Sequence, residues 1–193
     1  MEAFYSIQGE GFNTGKAAFF IRLGGCDVCC NFCDVRESWD AKIHPSVHVD
    51  NIVEEVLKHP AKAIVVTGGE PMLYNLDLLC NKLKALEVEL FLETSGSEPL
   101  SGNWDWICIS PKKNALPLEN NFKKASEIKI VISDIEDFQW AEQNAKHASP
   151  DCKLFLQPEW SNRKKILPLI IDYVKNNPKW MISLQTHKFL NIP

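Results

Sequence analysis

The stretch FFIRLGGCDVCCNFCDVR, Phe19 to Arg36, sets an apolar run directly against a loop that carries four cysteines in eight positions. AAFFIRL (17–23) reads as a buried strand, and Cys26, Cys29, Cys30 and Cys33 follow at once. Three ligand schemes fit this spacing. Two back-to-back CxxC pairs would suit zinc, but zinc knuckles are normally separated by a loop, and the adjacent Cys29 and Cys30 point apart in most backbone conformations. Cys26, Cys30 and Cys33, spaced C-x3-C-x2-C, would hold three irons of a four-iron, four-sulfur cluster and leave the fourth iron open, with Cys29 a bystander. Free thiols or a redox pair are the third scheme. The spacing favours the second.

Working outward, strands alternate with helices. VDNIVEEVLKHP (49–60) has helical period, with Ile52, Val53, Val56 and Leu57 on one face, Asp50 as the cap and Pro60 as the stop. AKAIVV (61–66) is an apolar strand closed by TGGEP. LDLLCNKLKAL (76–86) is a second helix, and VELFLE (88–93), DWICIS (105–110) and EIKIVI (127–132) are strands. A helix over 134–147, a strand KLFLQP (153–158), a helix over 162–177 that Pro168 must kink or shorten, and a strand MISLQ (181–185) complete the order. This alternation predicts an α/β fold with a mostly parallel sheet and right-handed crossovers. The strands end in GGC, TGGEP, ETSG, SPK, LQPEW and LQTHK, and in parallel folds those ends share one rim where ligands bind. A complete eight-unit barrel takes ~250 residues. At 193 residues the expectation is a partial, open TIM-like barrel in a single domain, 1–193.

Net charge is −4 and no basic run of five appears, which excludes a broad nucleic-acid face. No apolar stretch approaches the ~18 residues of a membrane span. The N-terminus MEAFYSIQGEGF has neither a basic start nor a long apolar run, so a secretory signal is not expected. Seven cysteines without such a signal read as metal ligands or redox groups in a reducing cytoplasm.

Cys26-x3-Cys30-x2-Cys33 after a strand, with Phe32 before the last cysteine, resembles the signature of radical S-adenosylmethionine enzymes. TGGEP (67–71) is similar to the loop whose carbonyls take the methionyl ammonium in that superfamily. The resemblance implies a [4Fe-4S] cluster whose open iron chelates S-adenosylmethionine. It further implies one-electron cleavage to a 5′-deoxyadenosyl radical that abstracts hydrogen, chemistry the cofactor carries and the protein positions. FYSIQGEGFNTGKAAFFIRLGGC (4–26), ETSG (93–96), SPK (110–112), LQPE (156–159) and QTHKFLNIP (185–193) narrow the resemblance to the 7-carboxy-7-deazaguanine synthase family, over nearly the whole chain. That family contracts the ring of 6-carboxy-5,6,7,8-tetrahydropterin with loss of ammonia, on the route to queuosine and related 7-deazapurines.

The same resemblance assigns residues. Ile7, Gln8, Gly9, Arg22, Thr67 and the terminal Pro193 match substrate-binding positions, with Arg22 suited to a bidentate pair with the substrate carboxylate. Phe32, Cys33, Asp34, Gly69, Ser110, Pro111, Lys112, Gln157, Pro158, Glu159 and Trp160 match cofactor-binding positions. Glu70 reads as a loop cap or an acid/base group, Glu93 as an acid/base candidate, and His187 as support for the tail. One position departs. The family carries Thr or Ser after Cys-Asp, and that hydroxyl binds Mg2+; here Val35 offers no side-chain oxygen, and Mg2+ demands oxygen ligands. Any Mg2+ would rest on a backbone carbonyl, water or Asp34, or be absent. A flavodoxin- or ferredoxin-like electron donor and a homodimer paired through an open sheet edge are the expected partners. The rival readings are a glycyl-radical activating enzyme and a non-catalytic zinc- or cluster-binding module.

Overall fold

The computed structural model describes residues 1–193. One eight-stranded sheet runs β1 (Glu2–Ile7), β2 (Ala17–Leu23), β3 (Ala63–Gly68), β4 (Glu89–Thr94), β5 (Trp106–Ile109), β6 (Glu127–Ile132), β7 (Lys153–Pro158) and β8 (Trp180–Ile182), each strand beside its sequence neighbour. β1 is antiparallel to β2, and every later pair is parallel. β1 and β8 do not pair, so the sheet is open, as the length predicts.

Alternation along the strands sorts the side chains into two layers. Phe19 and Ile21, Leu90 and Leu92, and Ile128, Ile130 and Ile132 enter a core of 28 buried residues, which also takes in residues of the covering helices. Those helices are α1 (Val49–Leu57), α2 (Asp77–Lys84), α3 (Glu119–Phe122), α4 (Asp137–Ala145) and α5 (Arg163–Asn176), with α6 (Thr186–Leu190) in the tail. Each fully buried Leu or Ile there contributes about 1.5–3 kcal/mol. The opposite face holds a small apolar cluster of Ala18, Phe20, Ala63, Val65 and Phe91. Continuing two residues further along each strand on that inner face gives Arg22, Thr67 and Glu93, where the apolar lining becomes polar.

Several local expectations need correction. The sequence reading places no element before AAFFIRL, yet Glu2–Ile7 forms β1, which is half-exposed and pairs with β2 from Glu2↔Arg22 to Ile7↔Ala17. Asp50 does not cap α1; the His48 ring accepts from the Asp50 N–H, and the Asp50 carboxylate pairs with Lys82. Leu57 is 64% exposed, because it turns about 100° past Val56 and off the buried stripe. Pro168 does not shorten α5, which runs unbroken through it. The carbonyl it leaves without its helical donor belongs to exposed Lys164, four residues back. The last strand is shorter than expected, and QTHKFL turns into α6.

Candidate active site

The carboxyl ends of the parallel strands open into a cavity of about 580 Å3. Three thiols stand on its wall: Cys26, Cys30 and Cys33 line it, whereas Cys29 is exposed and does not. Cys29 has φ 48°, in the left-handed region, and its thiol donates to the Cys26 carbonyl at 3.5 Å. Burial pushes the Cys26 thiol up. Burial also raises Cys30, opposed by Lys112 and reinforced by the other cysteines of the loop. Thiols that repel one another as thiolates call for a cation among them, and this soft donor set fits an iron–sulfur cluster with three protein ligands.

The cluster loop is docked by backbone. Gly69 N–H donates to Leu23 O at 2.9 Å and Glu70 N–H to Gly25 O at 2.8 Å. A Cβ at Gly69 would lie 2.0 Å from Gly25 O, so only glycine lets the TGGEP loop approach this closely. Glu70 is 1% exposed, and its carboxylate accepts from Met72 N–H, the Thr94 hydroxyl, and both the N–H and hydroxyl of Ser95. It therefore ties TGGEP to ETSG and has no acceptor capacity left for acid/base work.

The opposite wall is polar. Arg22 and Thr67 are register partners on β2 and β3 and share the inner face. The Arg22 guanidinium stacks over Phe4 and pairs with Glu2 at 2.8 Å. Buried Gln8 donates to Glu93 at 3.2 Å and accepts from Gly9 N–H at 2.9 Å. Ile7, Gly9 and Pro193 complete this end, and Pro193 O accepts from Ser6 Oγ at 3.1 Å.

Between the walls lie the remaining assigned residues. Phe32, Asp34, Val35 and Gly69 line the cavity near the thiols, and Ser110, Lys112, Gln157, Pro158, Glu159 and Trp160 line it from the end of β7 and the loops that follow β5 and β7. Pro111 is buried and does not line the cavity, because alternation along the chain turns it away from its neighbours Ser110 and Lys112. Lys112 is no solvated charge: its ammonium bonds the Ser110 carbonyl and hydroxyl, and burial pulls its pKa down. The Glu159 carboxylate is occupied by Ser161 and Asn162.

Four further groups went unassigned in the sequence reading. Lys129, 4% exposed, bonds Glu10 at 2.6 Å and Glu93 at 2.9 Å. Burial alone would pull this ammonium down; the acidic groups Cys108, Glu10, Glu93 and Glu127 overcome it and hold its pKa well above the usual value. Burial likewise works against the Glu10 anion, yet Lys129, Gln185 and Gln157 hold Glu10 at about 2. Ligand atoms of Glu93, Cys108 and Glu127 lie within 4.8 Å of one another, and the positive charge at that cluster is the Lys129 ammonium. Gln185 donates to Glu10 and to Asp34, and Lys188 also bonds Asp34. The fourth is Trp39, on the cavity wall. A charge inside the apolar strand EIKIVI was the available signal for Lys129, and Glu10 and Gln185 stand in the QGEG and LQTHK segments; Trp39 carried none. The tail folds back on QGEG: the Thr186 N–H and hydroxyl both donate to Gly9 O, and the His187 ring packs on Gly9.

Comparison with known proteins agrees with this geometry. The Radical SAM superfamily model matches residues 20–109, from β2 to β5. A 7-carboxy-7-deazaguanine synthase of Flavobacterium psychrophilum is 53% identical over 193 residues, covering 100% of this chain and 91% of the relative. One from Synechocystis sp. is 44% identical over 191 residues, covering 99% and 91%. The crystal structure of QueE from Escherichia coli superposes with a TM-score of 0.83 at 26% identity, covering 95% of this chain and 91% of that one. With three thiols and a polar wall facing one cavity in an open parallel sheet, and with relatives this similar along its whole length, the chain belongs to the 7-carboxy-7-deazaguanine synthase family of radical S-adenosylmethionine enzymes.

Proposed function

We propose that the enzyme converts 6-carboxy-5,6,7,8-tetrahydropterin to 7-carboxy-7-deazaguanine with release of ammonia, as one domain spanning 1–193. The observation that carries this reading is the single cavity that takes Cys26, Cys30 and Cys33 on one side and Gln8, Arg22 and Thr67 on the other. The three thiolates hold a [4Fe-4S] cluster, which with S-adenosylmethionine supplies the electron and the hydrogen-abstracting chemistry when bound.

The chain's own residues hold the two organic molecules together. Ser110, Lys112 and the segment Gln157–Trp160 hold the cofactor, with the backbone at Gly69 beside it. Arg22 exchanges its Glu2 partner for the substrate carboxylate, and its fork geometry fixes the ring's direction. Gln8, with the backbone of Ile7 and Gly9, takes a pterin edge, Thr67 contacts the ring, and Pro193 reaches it from the tail. The buried Lys129–Glu10–Glu93 group holds a fixed charge pattern beneath the substrate, which needs no reorganisation during reaction.

Mg2+ plays a smaller part here than in relatives with Thr. The Val35 carbonyl already accepts from the N–H and hydroxyl of Ser38, at 3.0 and 2.7 Å, and Asp34 is engaged by Gln185 and Lys188. A small flavodoxin- or ferredoxin-like protein supplies the electron, the enzyme works in the cytoplasm, and it pairs as a homodimer. The open sheet supports pairing, since an unpaired edge invites a second copy.

The test is anaerobic reconstitution with iron and sulfide, followed by dithionite, S-adenosylmethionine and the carboxytetrahydropterin. Carboxydeazaguanine and an equal amount of ammonia are expected. A cluster-loaded protein that cleaves the sulfonium but forms neither product would overturn the substrate assignment.

A further inference from the structure

Among all buried side-chain nitrogen and oxygen atoms in the protein, one has no hydrogen-bond partner: the indole nitrogen of Trp39, with less than 1 Å2 exposed. Leaving such a donor unpaired costs about 1–3 kcal/mol, so its position in a folded protein needs a reason. The surroundings supply one. Trp39 lines the same cavity as the three thiols. Its backbone carbonyl accepts from Cys26 N–H at 3.2 Å, and the preceding Ser38 carbonyl accepts from Gly25 N–H at 2.6 Å. The short helical turn Arg36–Ser38 that positions it is itself tied down, because buried Ser38 bonds the Val35 carbonyl. Trp39 is thus held firmly beside the first cluster ligand, with its one polar atom unused.

We propose that the Trp39 indole N–H is donated to a sulfur of the bound iron–sulfur cluster, on the Cys26 side. The proposal rests on the reading of Cys26, Cys30 and Cys33 as cluster ligands, and not on the identity of the substrate. Indole is a donor only, and cluster sulfurs, cysteinyl or inorganic, are acceptors that carry negative charge. Such a bond stabilises the reduced, more negative cluster more than the oxidised one, and so raises its reduction potential. It also gives the orphan donor its partner only in the loaded protein, which links cluster binding to the stability of this loop.

Two variants test this. Trp39→Phe removes the donor and part of the ring. Replacement of Trp39 by 3-benzothienylalanine, through site-specific incorporation, keeps the ring's shape and deletes only the N–H. Each is reconstituted anaerobically, iron and sulfide are counted, and the reduced cluster is titrated by electron paramagnetic resonance without substrate. A more negative potential in both variants is expected, with cluster content unchanged in the benzothienyl form. The apo benzothienyl protein should unfold at the same urea concentration as the parent or a higher one, since no bond is lost there. An unchanged potential in a fully loaded benzothienyl variant overturns the proposal. So does an unchanged potential accompanied by weaker S-adenosylmethionine binding, which would move the acceptor from the cluster to the cofactor. A protein that holds a cluster and shows the shift, yet makes no carboxydeazaguanine, would refute the substrate assignment and leave this inference standing.

Discussion

Glu70 accepts two hydrogen bonds from Ser95, 2.8 Å from its N–H and 2.5 Å from its hydroxyl, and these join the loop after β3 to the loop after β4. With Met72 N–H and the Thr94 hydroxyl, four donors converge on one buried carboxylate. Glu70→Gln turns an NH2 toward donors and leaves at least one unpaired, so a loss of about 2 kcal/mol is expected, and Glu70→Ala should lose about 3–4 kcal/mol. Urea unfolding of the apo proteins measures both. Parent-like midpoints would show that the loops are held by other means.

The Lys129 ammonium neutralises buried carboxylates, and its removal should therefore be pH-dependent. In the parent, Glu10 sits at about 2 against an ordinary 4.5. The stability it contributes is thus complete above the ordinary value and lost as pH falls toward 2. Lys129→Met leaves Glu10 and Glu93 unpaired, which costs about 3–5 kcal/mol near neutrality. Without Lys129 the Glu10 carboxyl loses the main cause of its lowered pKa, so the deficit relative to the parent should shrink as pH is lowered from about 7 to about 5, where Glu10 begins to protonate. Urea titrations at both pH values give the answer; a deficit of equal size at each would rule out the charge account.

Only three of the loop thiols face the cavity, which separates the four cysteines sharply. Cys29→Gly should retain about four irons per chain after reconstitution, and glycine suits the left-handed φ at that position. Alanine at Cys26, Cys30 or Cys33 should lose most of the iron. Iron loss from the Cys29 variant equal to that of the others would make the fourth thiol a ligand.

Val35→Thr restores a hydroxyl beside Asp34. The parent's turnover should change by less than about twofold between chelator and millimolar Mg2+, whereas the threonine variant should gain a clear dependence on the ion. Strong Mg2+ dependence in the parent, little altered by the substitution, would contradict this.

Glu2 occupies Arg22 in the free enzyme and competes with an incoming carboxylate. The pair is half-exposed and worth about 0.2–1 kcal/mol, so Glu2→Gln should raise kcat/KM by up to about fivefold. Arg22→Met should lower it by about 100-fold, mainly through KM, and Arg22→Lys by about tenfold, since a single ammonium cannot form the fork. Steady-state product formation distinguishes these cases, and a fall in kcat/KM for Glu2→Gln would place Glu2 in a supporting role instead.

The sequence by itself determined the strand–helix alternation and the open parallel sheet, and it singled out three loop thiols of four as candidate cluster ligands. These are local properties: apolar runs, period and ligand spacing are readable without knowing what lies across the molecule. β1 escaped because a half-exposed edge strand needs little apolar patterning, and α5 runs through Pro168 where the carbonyl it orphans belongs to the exposed Lys164. Only the tertiary structure decided the charge layer of Glu10, Glu93 and Lys129, the occupation of Glu70 and Val35 by local hydrogen bonds, and the unpartnered indole of Trp39. Each depends on contacts between residues far apart in the chain or on what a side chain has left to offer once its neighbours are satisfied. That remainder is set by packing, and no residue pattern records it.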